Sequence, residues 1–263
     1  MKHWFQQIAP IMIPPVVFFA VVLLAWHLIV DLKEIESFLV PLPSEVWQVV
    51  QEKSVELSRA TWNTALAAVS GFMLSVVIGT FTAFVFSQSI LVRRSLYPYA
   101  IFLQTVPIVA IAPLVITWFG NGFQSIVVVT VVISLFPVIT SVTVGLTSVD
   151  RGLRDLFEMN RASRWQTLLK LRMPHAVPYL VTGARTSSGL AVVGAIVGEF
   201  FAGYASDHYG LGYLVLQSSG QLRTDLLFAT IISSALLGVL MFALVTWVGY
   251  QLLARWTYAQ EQA

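Results

Sequence analysis

Cysteine is missing altogether, which excludes disulfide bridges and thiolate metal sites. Charge is scarce too. Asp, Glu, Lys and Arg make up 11% of the 263 residues, against about 25% in an ordinary soluble domain, while 57% of residues are hydrophobic and mean hydropathy is +0.80. That balance excludes a soluble globule and predicts an all-α polytopic membrane protein. The net charge of +2 is small and no basic run interleaves with aromatics, so no nucleic-acid partner is expected. The four histidines are dispersed without metal-ligand spacing, and none of the four lysines follows a glycine, which removes zinc-hydrolase and Gly-Lys-Ser/Thr phosphate-loop readings. No catalytic residue, metal or cofactor is expected on this chain. If the chain performs uphill transport by nucleotide hydrolysis, that hydrolysis must occur on another chain. The first apolar run lacks a small-residue cleavage site and reads as a retained span.

What is present is apolar runs. Six spans are expected, at about Ile8–Val30, Thr64–Phe86, Tyr97–Phe119, Ser125–Gly145, Pro178–Ala202 and Leu226–Leu253, each near or above the ~20 residues that cross a ~30 Å hydrocarbon core. An even number puts both termini on one side. Lys2, Arg93, Arg94, Arg255 and six basic residues between 151 and 172 then share that side, whereas Lys33, Lys53, Arg59 and Arg223 face the other, so the positive-inside rule places both termini in the cytoplasm. Between the first two spans, the acidic segment Asp31 to Arg59 is expected to hold an interfacial helix from Glu45 to Leu57, capped by Ser44.

The second span carries Gly71, Ser75, Gly79 and Ala83 at four-residue spacing, a stripe that lets another helix approach closely. Pro98, Pro107 and Pro113 in the third span and Pro137 in the fourth predict bends around a cavity. Gln104 and Thr105, one turn before Pro107, are candidates for the cavity wall, or for bonds across a helix interface. The fifth span holds the two charges placed inside a membrane segment, Arg185 and Glu199, about 21 Å apart along a helix axis and so unable to pair. Arg185 is expected to snorkel towards phosphates or carbonyls. Glu199 either faces a water-filled mouth or bonds to the outer loop Gly203 to Asp225; its intramembrane position makes function the default hypothesis.

The long polar interval Asp150 to Pro178 stands out in the second half. Leu153, Leu156 and Phe157, and again Trp165, Leu168 and Leu169, recur at i, i+3, i+4, giving two short amphipathic helices. Ser163 with Gln166 has the form of a capping box that starts the second helix afresh, and Asn160, tolerant of the left-handed conformation, is expected to end the first. The product is a cationic elbow between two spans, either a solvated loop or a lever on which an outside force acts.

These features resemble the inner-membrane permeases of binding-protein-dependent ATP-binding-cassette importers. Their loop mark reads Glu-Ala-Ala, three residues, Gly, nine residues, Ile-x-Leu-Pro. Here Leu171-Arg172-Met173-Pro174 fits the tail, Ala162-Ser163-Arg164 follows the glycine position, Asp155-Leu156-Phe157 stands for Glu-Ala-Ala, and Arg161 stands for the glycine. Val106-Pro107-Ile108-Val109-Ala110-Ile111-Ala112-Pro113-Leu114 with Trp118-Phe119-Gly120 is similar to the taurine, sulfonate, nitrate and thiamine-precursor branch. Phe38-Leu39-Val40-Pro41-Leu42-Pro43-Ser44, and Gly198-Glu199 with Tyr209-Gly210-Leu211-Gly212-Tyr213, extend the likeness. The resemblance implies a type I importer fold in the bacterial inner membrane: an extra N-terminal helix and outer segment over 1–60, a five-helix core over 61–256 with the coupling loop 146–177, and a cytoplasmic tail over 257–263. It implies a homodimer, two cytoplasmic ATPase subunits carrying ATP and Mg, and an external solute-binding protein. ATPase coupling would fall to Asp155, Leu156, Phe157, Glu158, Asn160, Arg161, Ala162, Ser163 and Pro174, and the pathway or gate to Gln104, Thr105, Pro107 and Glu199. The alternative is an ion-driven secondary transporter or channel subunit, which should show internal repeats and chains of intramembrane acids. Neither is visible, and an intramembrane enzyme would need a nucleophile or metal constellation that the chain lacks.

Overall fold

The structure, a computed structural model, describes residues 2–202 and 209–261, with side chains over 13–102, 104–202 and 209–254. Positions 203–208 of the expected outer loop and the side chains of Lys2 and Arg255 fall outside it. The described elements are all helical: α1 (Lys2–Leu32), α2 (Pro43–Glu52), α3 (Ser54–Gln88), α4 (Ile90–Thr105), α5 (Ile108–Phe119), α6 (Phe123–Thr147), α7 (Arg151–Met159), α8 (Arg164–Thr167), a π-helical turn (Leu168–Arg172), α9 (Met173–Ala202), α10 (Leu211–Gly220) and α11 (Thr224–Glu261). Among the described residues, Ile13–Leu32, Ser54–Gln88, Phe123–Thr147, Arg164–Ala202 and Thr224–Ala254 are long and apolar enough to cross a membrane, and Ile108–Phe119 is a shorter apolar helix. Helices suit that solvent because each satisfies its backbone groups internally.

The chain divides into two compact units, one of Met1–Ser58 with Leu214–Ile232, the other of Arg59–Tyr213 with Ser233–Ala263. In the first unit α2 begins and ends earlier than its sequence predicts. Leu42, not Ser44, is the N-cap: Pro43 supplies the preset first turn, and the Glu45 carboxylate reaches back to accept from the Leu42 N–H at 2.9 Å and from the Ser37 hydroxyl at 2.9 Å. The helix stops at Glu52 instead of reaching Leu57, and α3 starts at Ser54, with Lys53 paired to Glu56 at 2.9 Å. Thr224 donates to the Ser37 carbonyl at 2.7 Å, and Trp26 lies 5.4 Å from Phe228 between ring centroids.

The second unit is built on the α6–α9 pair. A Cβ added to Gly194 would sit 2.8 Å from the Thr130 Cα, and one added to Gly183 would sit 2.9 Å from the Pro137 carbonyl oxygen, so only glycine permits this approach. At Pro137, inside α6, it is thus α9 that packs against the helix through Gly183. The predicted stripe of α3 also meets α6: a Cβ on Gly79 would lie 2.9 Å from that of Val138, and Ala83 is buried with Val138, Val142 and Leu146. Two hydroxyls and a carbonyl join the layers, Ser187 donating to the Ser134 carbonyl at 2.6 Å with Ser75 Oγ 3.4 Å from Ser187 Oγ.

The expected single third span is instead two helices. Pro107 has no N–H to continue α4, Val106 before it takes the extended conformation (φ −71°, ψ 125°), and Thr105 closes the last turn by donating to the Phe102 carbonyl at 2.8 Å. After α5, Gly120 (φ 81°) and Gly122 (φ 136°) carry the chain through a turn closed to side-chain-bearing residues, and the Ser125 hydroxyl donates to the Gly120 carbonyl.

Candidate functional site

The elbow is formed much as the capping residues dictate. Asp150 caps α7 by accepting from the Leu153 N–H at 3.2 Å. Ser163 and Gln166 form both arms of the capping box on α8, at 2.8 and 3.2 Å. The left-handed residue between them is Arg161 (φ 51°), while Asn160 is right-handed (φ −79°, ψ 10°) and gives its side-chain amide to the Leu156 carbonyl at 2.8 Å. The Ala162 N–H reaches the Phe157 carbonyl and the Arg161 N–H the Glu158 carbonyl, each at 3.0 Å, which is a Schellman motif with arginine in the glycine position. The left-handed role therefore stays at 161 and does not move to Asn160: the motif's register fixes which residue turns, and Arg161, exposed at the surface, bears the steric cost.

Arg161→Gly is accordingly expected to stabilise the turn by about 1 kcal/mol, read as roughly fivefold slower exchange of the Ala162 amide. Asn160→Val, which removes one hydrogen bond but no left-handed residue, is expected to cost only about 1 kcal/mol.

The two apolar stripes have different fates. In the second, Leu168 is buried in the cluster with Ala83, Val138 and Ala176, and Trp165 stacks on Phe84 at 6.2 Å and 28°. Pro174, half-buried at the start of α9, has no N–H to give, and in a regular α-helix its ring would crowd the Lys170 carbonyl; the π turn falls where that crowding would arise. In the first stripe Leu153, Leu156 and Met159 are exposed, Met159 at 84%, and only Phe157 is half-buried. Asp155 and Glu158 are exposed beside them, Ser163 is exposed and Ala162 half-buried. The apolar face of α7 thus has no cover among the described residues.

Glu199 meets the second of its two expected alternatives. It is 2% exposed, and its Oε2 accepts from the Gly212 N–H at 2.8 Å and the Thr64 hydroxyl at 2.9 Å, while Thr64 Oγ1 accepts from the Leu211 N–H at 2.8 Å. A Cβ on Gly210 would fall on the carboxylate, and one on Gly212 would fall on the Ile196 carbonyl oxygen. Asn63 adds a bond to the Tyr209 carbonyl at 2.9 Å. The carboxylate is the knot that fastens Tyr209–Tyr213 to α3 and α9. Sequence reasoning named Glu199 but missed Asn63 and Thr64, whose only signal was polarity at the head of an apolar run.

Gln104, Thr105 and Pro107 are exposed at the α4–α5 break and touch none of the elbow or the Glu199 knot. Arg185 does not snorkel: its guanidinium carbon lies 4.7 Å above the Tyr250 ring, and its Nε and Nη2 are enclosed without a hydrogen-bond partner.

Residues 75–252, a span that holds the elbow and Glu199 but not its partner Thr64, match the family model of binding-protein-dependent transport system inner membrane components. The chain belongs to that family. It is 31% identical over 250 residues to the formylaminopyrimidine transport permease protein ThiX of Halalkalibacterium halodurans, covering 93% of this chain and 94% of that one. It is 33% identical over 238 residues to the riboflavin transport system permease protein RibX of Chloroflexus aurantiacus, covering 89% and 86%. Permeases named for aliphatic sulfonates, nitrate and taurine match as well. An inward-facing structure of the MetNI methionine ABC transporter shares the fold, with a TM-score of 0.63 at 18% identity, over 76% of this chain and 95% of that one. This permease is a membrane-embedded transport subunit of an ATP-binding-cassette importer for a small solute, with the type I fold.

Proposed function

We propose that the permease pairs with a second copy of itself to form the translocation path, and that two separate cytoplasmic ATPases, holding ATP and Mg, drive it by gripping the α7–α8 elbow. An external solute-binding protein delivers the ligand to the opposite face. The observation that carries this reading is the uncovered apolar face of α7, Leu153, Leu156 and Met159, on a short helix rigidly capped at both ends. In alternating access, closure of the ATPases moves the elbow, and the differential contacts of the two states couple hydrolysis to opening. Both termini and the elbow lie in the cytoplasm in this scheme, as the distribution of basic residues supports. Gln104, Thr105 and Pro107, exposed at the α4–α5 break, supply the path wall, and Glu199 sets the outer loop that the binding protein meets.

For the solute we propose a nitrogen heterocycle. Two relatives above 30% identity that cover about nine-tenths of the chain are named for a pyrimidine and for riboflavin, and Arg185, a cation within α9, is engaged with Tyr250 and not set out to hold a multiply charged anion. Competition of unlabelled pyrimidine, flavin, taurine and nitrate against uptake in cells expressing the whole importer tests it. Competition by the heterocycles alone is expected; competition by taurine or nitrate alone would overturn the assignment.

A further inference from the structure

Behind the elbow, where α3 ends, α4 begins and α6 ends, lies a cavity of about 140 Å³ lined by Ser87, Ile90, Arg93, Thr147, Arg154 and Arg172 among others. Three guanidinium groups from three elements, α4, α7 and the π turn, converge on this one small volume with no carboxylate in its wall. None of the three forms an ion pair among the described residues. Arg172 donates to the Ser87 carbonyl at 3.2 Å, which aims its head group at the cavity, and Arg154 stands near enough to act on it as a like charge. Glu158, one helical turn after Arg154, lines not this cavity but a second one of about 240 Å³ that shares Arg154 and Arg172 with it. Converging cations without a counter-charge repel one another, and an anion with several acceptor oxygens relieves that repulsion while accepting from several N–H groups at once.

We infer that this cavity binds a phosphate group, supplied by the headgroup of an anionic phospholipid. The position favours a lipid as the source: Ile90 and Leu91, at the start of α4 beside the cavity, are exposed at 63% and 74%, so an apolar rim borders the basic floor as it does at a membrane interface. A phosphate held there bridges Arg154 of the elbow to Arg93 of α4 and fastens the elbow to the membrane end of the bundle. The inference rests on membrane residence and on the cavity alone, and stands or falls independently of the ATPase and solute readings.

The test uses the full-length chain, purified in neutral detergent with its copurifying subunits, and follows thermal unfolding during titration with dioleoylphosphatidylglycerol, dioleoylphosphatidylcholine or inorganic phosphate. Phosphatidylglycerol is expected to raise the transition and phosphatidylcholine to leave it unchanged. Arg154→Gln, at an exposed site that the fold does not require, is expected to weaken the phosphatidylglycerol response roughly fivefold, and Arg93→Gln with Arg154→Gln about 25-fold. Arg94→Gln, a neighbouring exposed arginine outside the cavity, should respond as the wild type. A full response to inorganic phosphate, with nothing added by the lipid, keeps the phosphate site and reassigns its source to the free anion. Equal responses to the two lipids, an undiminished response in the Arg93/Arg154 variant, or an equal loss in Arg94→Gln each overturn the site.

Discussion

Replacing Leu156 and Phe157 together by Asp is expected to strip the ATPase subunits from the permease while leaving the chain folded and inserted. Leu156 is 52% exposed and Phe157 half-buried, so neither substitution opens a core. Each apolar anchor buried in a partner's groove contributes roughly 1.5 to 3 kcal/mol, so losing both should weaken the contact by at least about 100-fold. ATP-driven uptake should fall with it. Leu168→Asp serves as the contrast: at 2% exposure Leu168 belongs to the permease's own core, and its loss should reduce folded protein and not merely copurification. Full copurification of the ATPase with the Leu156/Phe157 variant would remove the elbow from the coupling path.

Glu199→Leu carries the other large effect. The Gly212 N–H and the Thr64 hydroxyl both lose their acceptor in a buried site, a cost of about 1 to 3 kcal/mol for each group, and the loop over Tyr209–Tyr213 loses its attachment. Thermal unfolding should drop by several degrees, and protease should cut the loop in the variant first. Glu199→Gln keeps an oxygen for both donors and should stay within about 1 kcal/mol of the wild type with uptake intact. Should Glu199→Gln instead lose binding-protein-stimulated hydrolysis at normal stability, the charge itself, and not the knot it ties, serves the outer gate.

Local chemistry made much of this permease legible. Low charge and apolar runs announce helices in lipid, the Gly71–Gly79 stripe announces a close helix contact, and Asp150 and the Ser163–Gln166 box mark where elbow helices start. Less visible was everything set by distant partners. The break at Val106–Pro107 looked like a kink, because proline is compatible with either outcome and the packing around it decides. Asn160 drew the left-handed assignment on intrinsic preference alone, yet the two Schellman hydrogen bonds place that conformation on Arg161 whatever its preference. Gly183, Gly194 and Gly198 form a small-residue face on α9 as plain as that on α3, and their four- and eleven-residue spacings were the unused signal. Thr64 could not be matched with Glu199 from sequence, since 135 positions separate them.

The π turn has a geometric consequence of its own. A helix advances about 100° per residue, and a π turn absorbs an additional residue within an otherwise α-helical run. Leu168–Arg172 therefore acts as a phase shifter between the face of α9 that lies on α6 and the side chains that precede it. It lets Trp165 meet Phe84 while Gly183, Gly194 and Gly198 keep their positions against α6. Forcing the same residues into a regular α-helix would no longer absorb the additional one and would swing the whole α7–α8 element by about 100° around the α9 axis, aiming the uncovered face of α7 in a new direction, whereas deleting one residue from the turn should leave that direction unchanged. The bearing of the elbow is thus written in the winding of the turn and not in any one side chain.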